Sequence, residues 1–258
     1  MHYFDRSSFT DAPLKKLNEF AIAEKPKWIA YRNFIDFRIL PKVSKPSGHW
    51  TRPEIKLPLI KFFNNNCGYC GEYAGARNSG EVDHYLPAMH DANADHIYSW
   101  ENYIWSCHPC NNLKRSNYFL LNPCSQDEME WIEFDIRSGN YRCKKGVPSD
   151  ITDKFKKTNQ FTFINGNNRP KARLCLYKIL TNVYLPKLLT EYKLKKTFTG
   201  SLNSTDYFNL KKNMTNSIKD IWETINCNRD NKLIGKILIS FSEKNPELYS
   251  LLKMILEK

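Results

Sequence analysis

The sequence predicts an α+β fold with N-terminal helices, a small cysteine-containing core, a β-hairpin and a C-terminal helical region. Apolar residues recur at helical spacing near both ends of the chain, and residues 131–136 alternate between apolar and charged side chains. Two Cys-x-x-Cys pairs bracket a spacer between these parts. The chain therefore divides into four predicted regions, with bounds at 1–66, 67–124, 125–170 and 171–258.

The helices and strands of the flanking regions follow from local patterns. Residues 11–40 predict two helices broken near Pro26, because proline cannot donate the backbone hydrogen bond that a helix interior needs. A short helix is expected from Pro53 to Asn64. The alternating residues 131–136, followed by the turn sequence Ser-Gly-Asn, predict a half-buried hairpin. From Lys171 onward the spacing is helical.

The formal net charge of +12 is unevenly distributed along the 258 residues. Residues 1–66 carry a net charge of +6 and residues 125–258 carry +9, whereas residues 67–124 carry −3. Carboxylates in the centre suit cation binding, and basic flanks suit a phosphate backbone. The start of the chain lacks a signal-peptide pattern and no apolar run is long enough for a membrane span, so we expect a cytoplasmic protein.

The two Cys-x-x-Cys pairs, Cys67/Cys70 and Cys107/Cys110, predict a zinc site. Four thiolates are a ligand set that tetrahedral zinc takes in structural sites. The 36 residues between the pairs exceed the roughly 15–20 of a simple zinc ribbon. The spacer should therefore contain folded structure of its own. His108, inside the second pair, is an alternative ligand.

Three side chains in and after this spacer meet the chemical needs of phosphodiester hydrolysis. His84 offers a base that is active near neutral pH. Asp83 and Asn111 offer the hard oxygen ligands that Mg²⁺ prefers. Neighbours on a regular strand face opposite sides, so Asp83 and His84 should lie where a strand ends or twists.

These residues stand in a pattern with several independent anchors. It comprises the first cysteine pair, Val82-Asp83-His84 with Pro87, Glu101-Asn102-Tyr103, and the second pair followed by Asn-x-x-Lys. The pattern resembles the zinc-bound HNH endonuclease motif over 50 residues, Cys67 to Ser116. The resemblance implies a ββα-metal core of strand, loop, strand and helix, closed on one catalytic Mg²⁺ or another divalent cation.

The resemblance also implies a role for each matching position. His84 would be the general base, Asp83 and Asn111 would bind the catalytic cation, and Asn102 would hold the loop that aims the histidine. Asn112 and His108 are the alternatives to Asn111 as a ligand. Lys114 and Arg115 would contact the nucleic acid, and His90, Asp91, Asp95 and His96 are considered as a second metal site.

Residues from about Asn64 to Asn140 resemble, more narrowly, the PtuB-type HNH subunits of Septu and retron-associated anti-phage systems of bacteria. Such subunits work beside an ABC-type ATPase of the PtuA type. The C-terminal region from Lys171 is expected to dock this partner, and the alternative is that its lysines, Lys187, Lys193, Lys195 and Lys196, bind the nucleic-acid backbone. The resemblance implies an endonuclease acting on nucleic acid, with DNA favoured over tRNA or another RNA. A non-catalytic zinc module that binds nucleic acid and a purely structural zinc protein stay open.

Overall fold

A computed structural model describes residues 3–37, 43–75, 80–135, 137–166 and 168–179. The chain divides into two compact units. The first unit holds the described residues of Met1–Phe134 and Tyr141–Asn167, and it contains every residue of the predicted site. The second unit holds the described residues of Asp135–Asn140 and Asn168–Lys258.

The structure mixes helices with two small sheets, each of two strands. Strands β1 and β2 form one sheet, and β3 and β4 form the other. The helices are α1 (Leu14–Phe37), α2 (Pro53–Phe62), α3 (His108–Lys114), α4 (Gln126–Met129), α5 (Ser149–Phe161) and α6 (Arg169–Ile179). The strands are β1 (Glu81–His84), β2 (Tyr103–Ser106), β3 (Ile132–Asp135) and β4 (Asn140–Cys143).

Helix α1 runs through Pro26 without a break, so the prediction of two separate N-terminal helices was wrong. Phe20 before the proline and Trp28 after it are both buried in the same core. Burying each such side chain contributes about 1.5–3 kcal/mol. This packing offsets the roughly 3 kcal/mol that proline costs inside a helix.

The main core surrounds the β1–β2 sheet. The strands are antiparallel, with Glu81 opposite Ser106 and His84 opposite Tyr103. Every residue of β2 is buried, and Trp105 packs in the same cluster as the apolar face of α2. Because β2 is enclosed on both faces, it provides a fixed strand against which β1 pairs.

Arg6 forms hydrogen bonds that join the N-terminal segment to the start of β2. Its guanidinium donates to the carbonyl of Trp100 at 2.7 Å and to that of Tyr103. The same group lies over the rings of Phe62 and Trp100. The planar guanidinium therefore joins the N-terminal segment, α2 and β2 in one contact.

The hairpin predicted from residues 131–136 is confirmed as β3 and β4. The sequence reading missed helix α5, which supplies Ile151 to a second buried cluster with Tyr141. Thr158 of α5 accepts a hydrogen bond from the backbone N–H of Leu121 at 2.8 Å. This bond satisfies a buried donor in the segment that follows α3.

Helix α6 confirms the start of the predicted C-terminal helical region. The rest of that region, and with it the expected partner-docking surface, lies outside the described residues. Among the described helices, none combines the length and apolar character needed to cross a membrane.

We expect Gly80→Ala to destabilise the β1–β2 sheet. A Cβ at this position would lie 2.0 Å from the buried Trp105 ring and 2.4 Å from the backbone oxygen of Ala74. Overpacking of this kind typically costs about 1–3 kcal/mol, which urea denaturation would measure. Gly166→Ala is the matched control, because its nearest neighbour is a side-chain atom at 3.1 Å. Equal stability of the two variants would contradict this account.

Candidate metal centre and catalytic site

Four buried cysteines converge at one end of the β1–β2 sheet. Cys67 and Cys70 follow α2, Cys107 follows β2, and Cys110 lies in the first turn of α3. Their sulfurs all lie within 4.8 Å of one another, with Cys70 Sγ and Cys107 Sγ 3.8 Å apart. Sulfurs bound at about 2.3 Å around one tetrahedral zinc stand roughly 3.8 Å apart. The four cysteines can therefore hold a metal ion such as zinc.

Local backbone bonds shape both cysteine turns. Gly71 N–H donates to the Cys67 carbonyl at 2.8 Å, with Gly71 at a φ of +75° that glycine adopts without strain. In the second turn Asn111 N–H donates to the Cys107 carbonyl at 3.0 Å. The backbone N–H of Phe163 donates to Cys110 Sγ at 3.3 Å. An N–H bond to sulfur favours the thiolate that a metal requires.

Asp83 is buried between the first cysteine turn and α3. Tyr69, which lies between Cys67 and Cys70, donates its hydroxyl to Asp83 Oδ2 at 2.5 Å. Lys114 Nζ lies 3.0 Å from the same oxygen. Burial raises the pKa of Asp83, and the neighbouring ammonium opposes that rise. Burial and the Asp83 charge raise the pKa of Tyr69, which keeps its hydroxyl a donor.

Lys114 is fully enclosed at the end of α3, with 0% of its surface exposed. Its ammonium donates to the His84 carbonyl at 2.8 Å in addition to pairing with Asp83. A buried charge of this kind requires such partners. Arg115, the next residue, is exposed. The contact of Lys114 and Arg115 with nucleic acid stays a prediction, and in this structure only Arg115 faces solvent.

His84 ends β1 and faces a different set of groups from Asp83. Its Nε2 lies 2.9 Å from the carbonyl oxygen of Ile97, and its ring stands perpendicular to the ring of Trp50 with centroids 4.5 Å apart. A carbonyl can only accept, so Nε2 carries the hydrogen and Nδ1 keeps the lone pair. Burial lowers the pKa of His84 to about 4, and the ring is therefore neutral near pH 7.

Asn102 fastens both ends of the loop between β1 and β2. Its Oδ1 accepts from the Leu86 N–H at 2.7 Å. Its Nδ2 donates to the carbonyls of Leu86 and His96, at 3.0 Å each. Ile97, which follows His96, supplies the carbonyl that bonds to His84. These bonds join Asn102 to two parts of the loop, and its role in aiming His84 stays a prediction.

Asn111 does not bond to Asp83 in this structure. Its Nδ2 donates to the carboxylate of Glu81, a residue to which the sequence reading assigned no role. Glu81 also bonds to His108 Nδ1 at 2.5 Å, and His108 Nε2 lies 2.7 Å from Asn112 Nδ2. The period of two along a strand places Glu81 on the same side as Asp83, and this signal was available in the sequence.

The residues considered as a second metal site have other partners. Asp91 accepts from the backbone N–H groups of Asp95 and His96, at 3.1 and 2.6 Å. Asp95 pairs with Lys25, and His90 packs on the ring of Tyr118. Throughout the described ranges, the four cysteines are the one group of three or more Cys, His, Asp or Glu side chains arranged to share a metal.

The comparisons with known proteins give two curated relatives. No family model matches the chain, and no solved structure matches it. A protein of Bacillus thuringiensis is 29% identical, with 66% of this chain and 59% of the relative covered. A protein of Bacillus mycoides (strain KBAB4) is also 29% identical, with 36% of this chain and 44% of the relative covered. Both are named Septu protein PtuB.

The chain resembles Septu protein PtuB. It spans less than two thirds of the length of either PtuB relative. The shared name of the two relatives confirms the resemblance to PtuB that the sequence motifs predicted.

We expect Cys107→Ser to lose the bound metal and to unfold the first unit. The four sulfurs join segments on both sides of the 36-residue spacer, so removing one ligand opens the site. Elemental analysis and circular dichroism would measure the two effects. Cys175→Ser is the control, since Cys175 is exposed and lies outside the cluster. A folded Cys107→Ser protein that keeps one metal ion per chain would contradict this expectation.

We expect Lys114→Met to lower the free energy of unfolding by about 3–5 kcal/mol, because it leaves the buried Asp83 carboxylate without its cation. Arg115→Met is the neighbouring control and should stay within about 0.5 kcal/mol, since that side chain is exposed. Chemical denaturation of the two variants provides the comparison. Similar stability for both would show that the Lys114–Asp83 pair does not hold the fold.

Proposed function

We propose that the chain is a metal-dependent HNH endonuclease that hydrolyses phosphodiester bonds of nucleic acid. The observation that carries the proposal is the state of His84. Its Nε2 is held by the Ile97 carbonyl, which leaves Nδ1 as a free acceptor, and His84 directly follows the Asp83 carboxylate on β1. An imidazole with one nitrogen oriented by a carbonyl and the other able to accept a proton is the arrangement that a general base needs.

His84 would accept the proton of the attacking water on Nδ1, because Nε2 is committed to the Ile97 carbonyl. The same bond to Ile97 stabilises the imidazolium that forms after the transfer, as an orienting carbonyl or carboxylate does for other histidine bases. Asn102 holds the loop that carries this carbonyl. His84 would thus be the general base, the Ile97 carbonyl would orient its imidazole, and Asn102 would hold the loop that carries this carbonyl.

The donor chemistry of Asp83 and Asn111 fits a hard divalent cation such as Mg²⁺. When bound, such a cation would neutralise charge that develops on the phosphate and on the leaving oxygen. Zinc in the four-cysteine cluster would have a structural role, since all four ligands come from the protein and no position is left open for a substrate.

The order of elements supports this reading. The chain runs from β1 through a loop to the antiparallel β2 and then directly to α3, which is the strand, loop, strand and helix expected of an HNH core. The basic flanks and the exposed Arg115 supply positive charge for the backbone of a nucleic acid. DNA is the substrate that we favour, with tRNA or another RNA as the alternative.

The names of the two relatives support a role in anti-phage defence, as in a Septu system. We propose that the chain acts with an ABC-type ATPase partner of the PtuA type that controls the nuclease. Co-expression with the product of the neighbouring gene, followed by affinity purification, tests the partner. Cleavage assays on plasmid, single-stranded DNA and tRNA with Mg²⁺ test the substrate.

A second candidate function is a zinc-stabilised module that binds nucleic acid without cleaving it. The observation that favours it is the Lys114 ammonium, which already neutralises Asp83 in this structure. The presence of His84 and Asn111 in the same unit favours the nuclease, because a binding module does not require a base.

We expect His84→Ala to reduce cleavage by a factor of about 10²–10⁴ while leaving the fold and zinc content unchanged. His96→Ala is the control, because that imidazole is exposed and the loop uses only the backbone of His96. Rates are compared with saturating Mg²⁺ on the most rapidly cleaved of the three substrates. Equal rates for wild type and His84→Ala would remove His84 from the mechanism.

A further inference from the structure

Glu81, the first residue of β1, forms hydrogen bonds with two side chains in the first turn of α3. One carboxylate oxygen accepts from Asn111 Nδ2, and the other lies 2.5 Å from His108 Nδ1. Both partners come from the helix that also carries Cys110. Glu81 is 35% and His108 53% exposed, so the contribution of this pair to stability is small.

The chemistry of the carboxylate fixes the direction of each hydrogen bond. A carboxylate only accepts, so Asn111 must turn its NH₂ group toward Glu81. The Nδ1 of His108 must likewise carry a hydrogen, which leaves Nε2 as the acceptor for Asn112 Nδ2. Glu81 and His108 each accept a hydrogen bond from one amide, and the bond to Glu81 allows one orientation of the Asn111 amide.

The orientation of the amide decides whether Asn111 can bind a cation. Its two ends have nearly the same shape, but only the oxygen is a ligand for a hard cation. With Nδ2 on Glu81, Oδ1 is turned away from the carboxylate. In the opposite orientation Oδ1 would meet the negative charge of Glu81, and the NH₂ group would take the place of the ligand.

We propose that Glu81 is a positioning residue that orients the Asn111 amide so that its oxygen is presented to the catalytic cation. This inference rests on the proposed function, in which Asn111 is a cation ligand. Glu81 does not touch the reacting atoms and acts through Asn111. It accounts for the otherwise unexplained contact between the start of β1 and the start of α3.

Glu81→Gln tests the proposal with almost no change in shape. A glutamine offers one oxygen and one NH₂ group, so it cannot accept from both Asn111 and His108 in the present arrangement. We expect the affinity of the full-length, zinc-loaded protein for Mn²⁺ to fall about 10–100-fold, as for other residues that orient metal ligands. Electron paramagnetic resonance of free Mn²⁺ measures this without substrate. Glu133→Gln is the matched control and should bind Mn²⁺ like the wild type, because that carboxylate pairs with Arg142 on the β3–β4 sheet, outside the proposed site.

Reversing donor and acceptor should restore binding. In Glu81→Gln combined with Asn111→Asp, the NH₂ group of glutamine donates to one aspartate oxygen and the other oxygen remains for the cation. We expect the double variant to recover at least a tenth of the wild-type Mn²⁺ affinity. A role for Glu81 in general folding would predict no such recovery.

The outcomes separate this inference from the proposed function. Unchanged Mn²⁺ affinity in Glu81→Gln overturns the inference, as does loss of zinc or of the fold in that variant, because Glu81 would then be structural. Failure of the double variant to regain affinity overturns it as well. If wild-type protein binds Mn²⁺ in a Glu81-dependent way but cleaves none of the three substrates, the nuclease proposal fails and the positioning role stands.

Discussion

The structure of the first unit depends on the convergence of four thiols. Cys67 and Cys70 lie on one side of a 36-residue spacer, and Cys107 and Cys110 lie on the other. A metal ion held by these sulfurs would close that spacer into a loop and reduce its conformational freedom. Because Cys110 belongs to α3 and Cys107 directly follows β2, the same contact sets where α3 begins relative to the sheet.

Once α3 is placed, its two ends meet two carboxylates of β1. Its first turn bonds to Glu81, and its last residue, Lys114, pairs with Asp83. The two acidic side chains stand two residues apart and therefore share one side of the strand. His84 faces the Ile97 carbonyl and the ring of Trp50 instead. The side chains of Asp83 and His84 therefore face different groups. Both residues lie at the end of β1, where the pairing with β2 stops after His84.

The buried Lys114–Asp83 pair gives the site a resident positive charge. The divalent cation proposed for Asp83 would have to compete with this ammonium or bind beside it. Tyr69 adds a second donor to the same carboxylate from the first cysteine turn. The four-cysteine cluster and the proposed catalytic carboxylate are therefore connected through one short segment, Cys67 to Cys70.

The sequence alone determined the features that depend on close neighbours along the chain. The spacing of the cysteine pairs predicted the four-cysteine cluster, and the residues from about Asn64 to Asn140 predicted the resemblance to PtuB. Alternation of residue types predicted the β3–β4 hairpin. Tertiary structure decided what no local pattern contains: the burial of Lys114, the partners of Glu81, and the course of α1 through Pro26. The physical reason is that each of these depends on contacts between residues far apart in sequence, whose free energy exceeds the local preference.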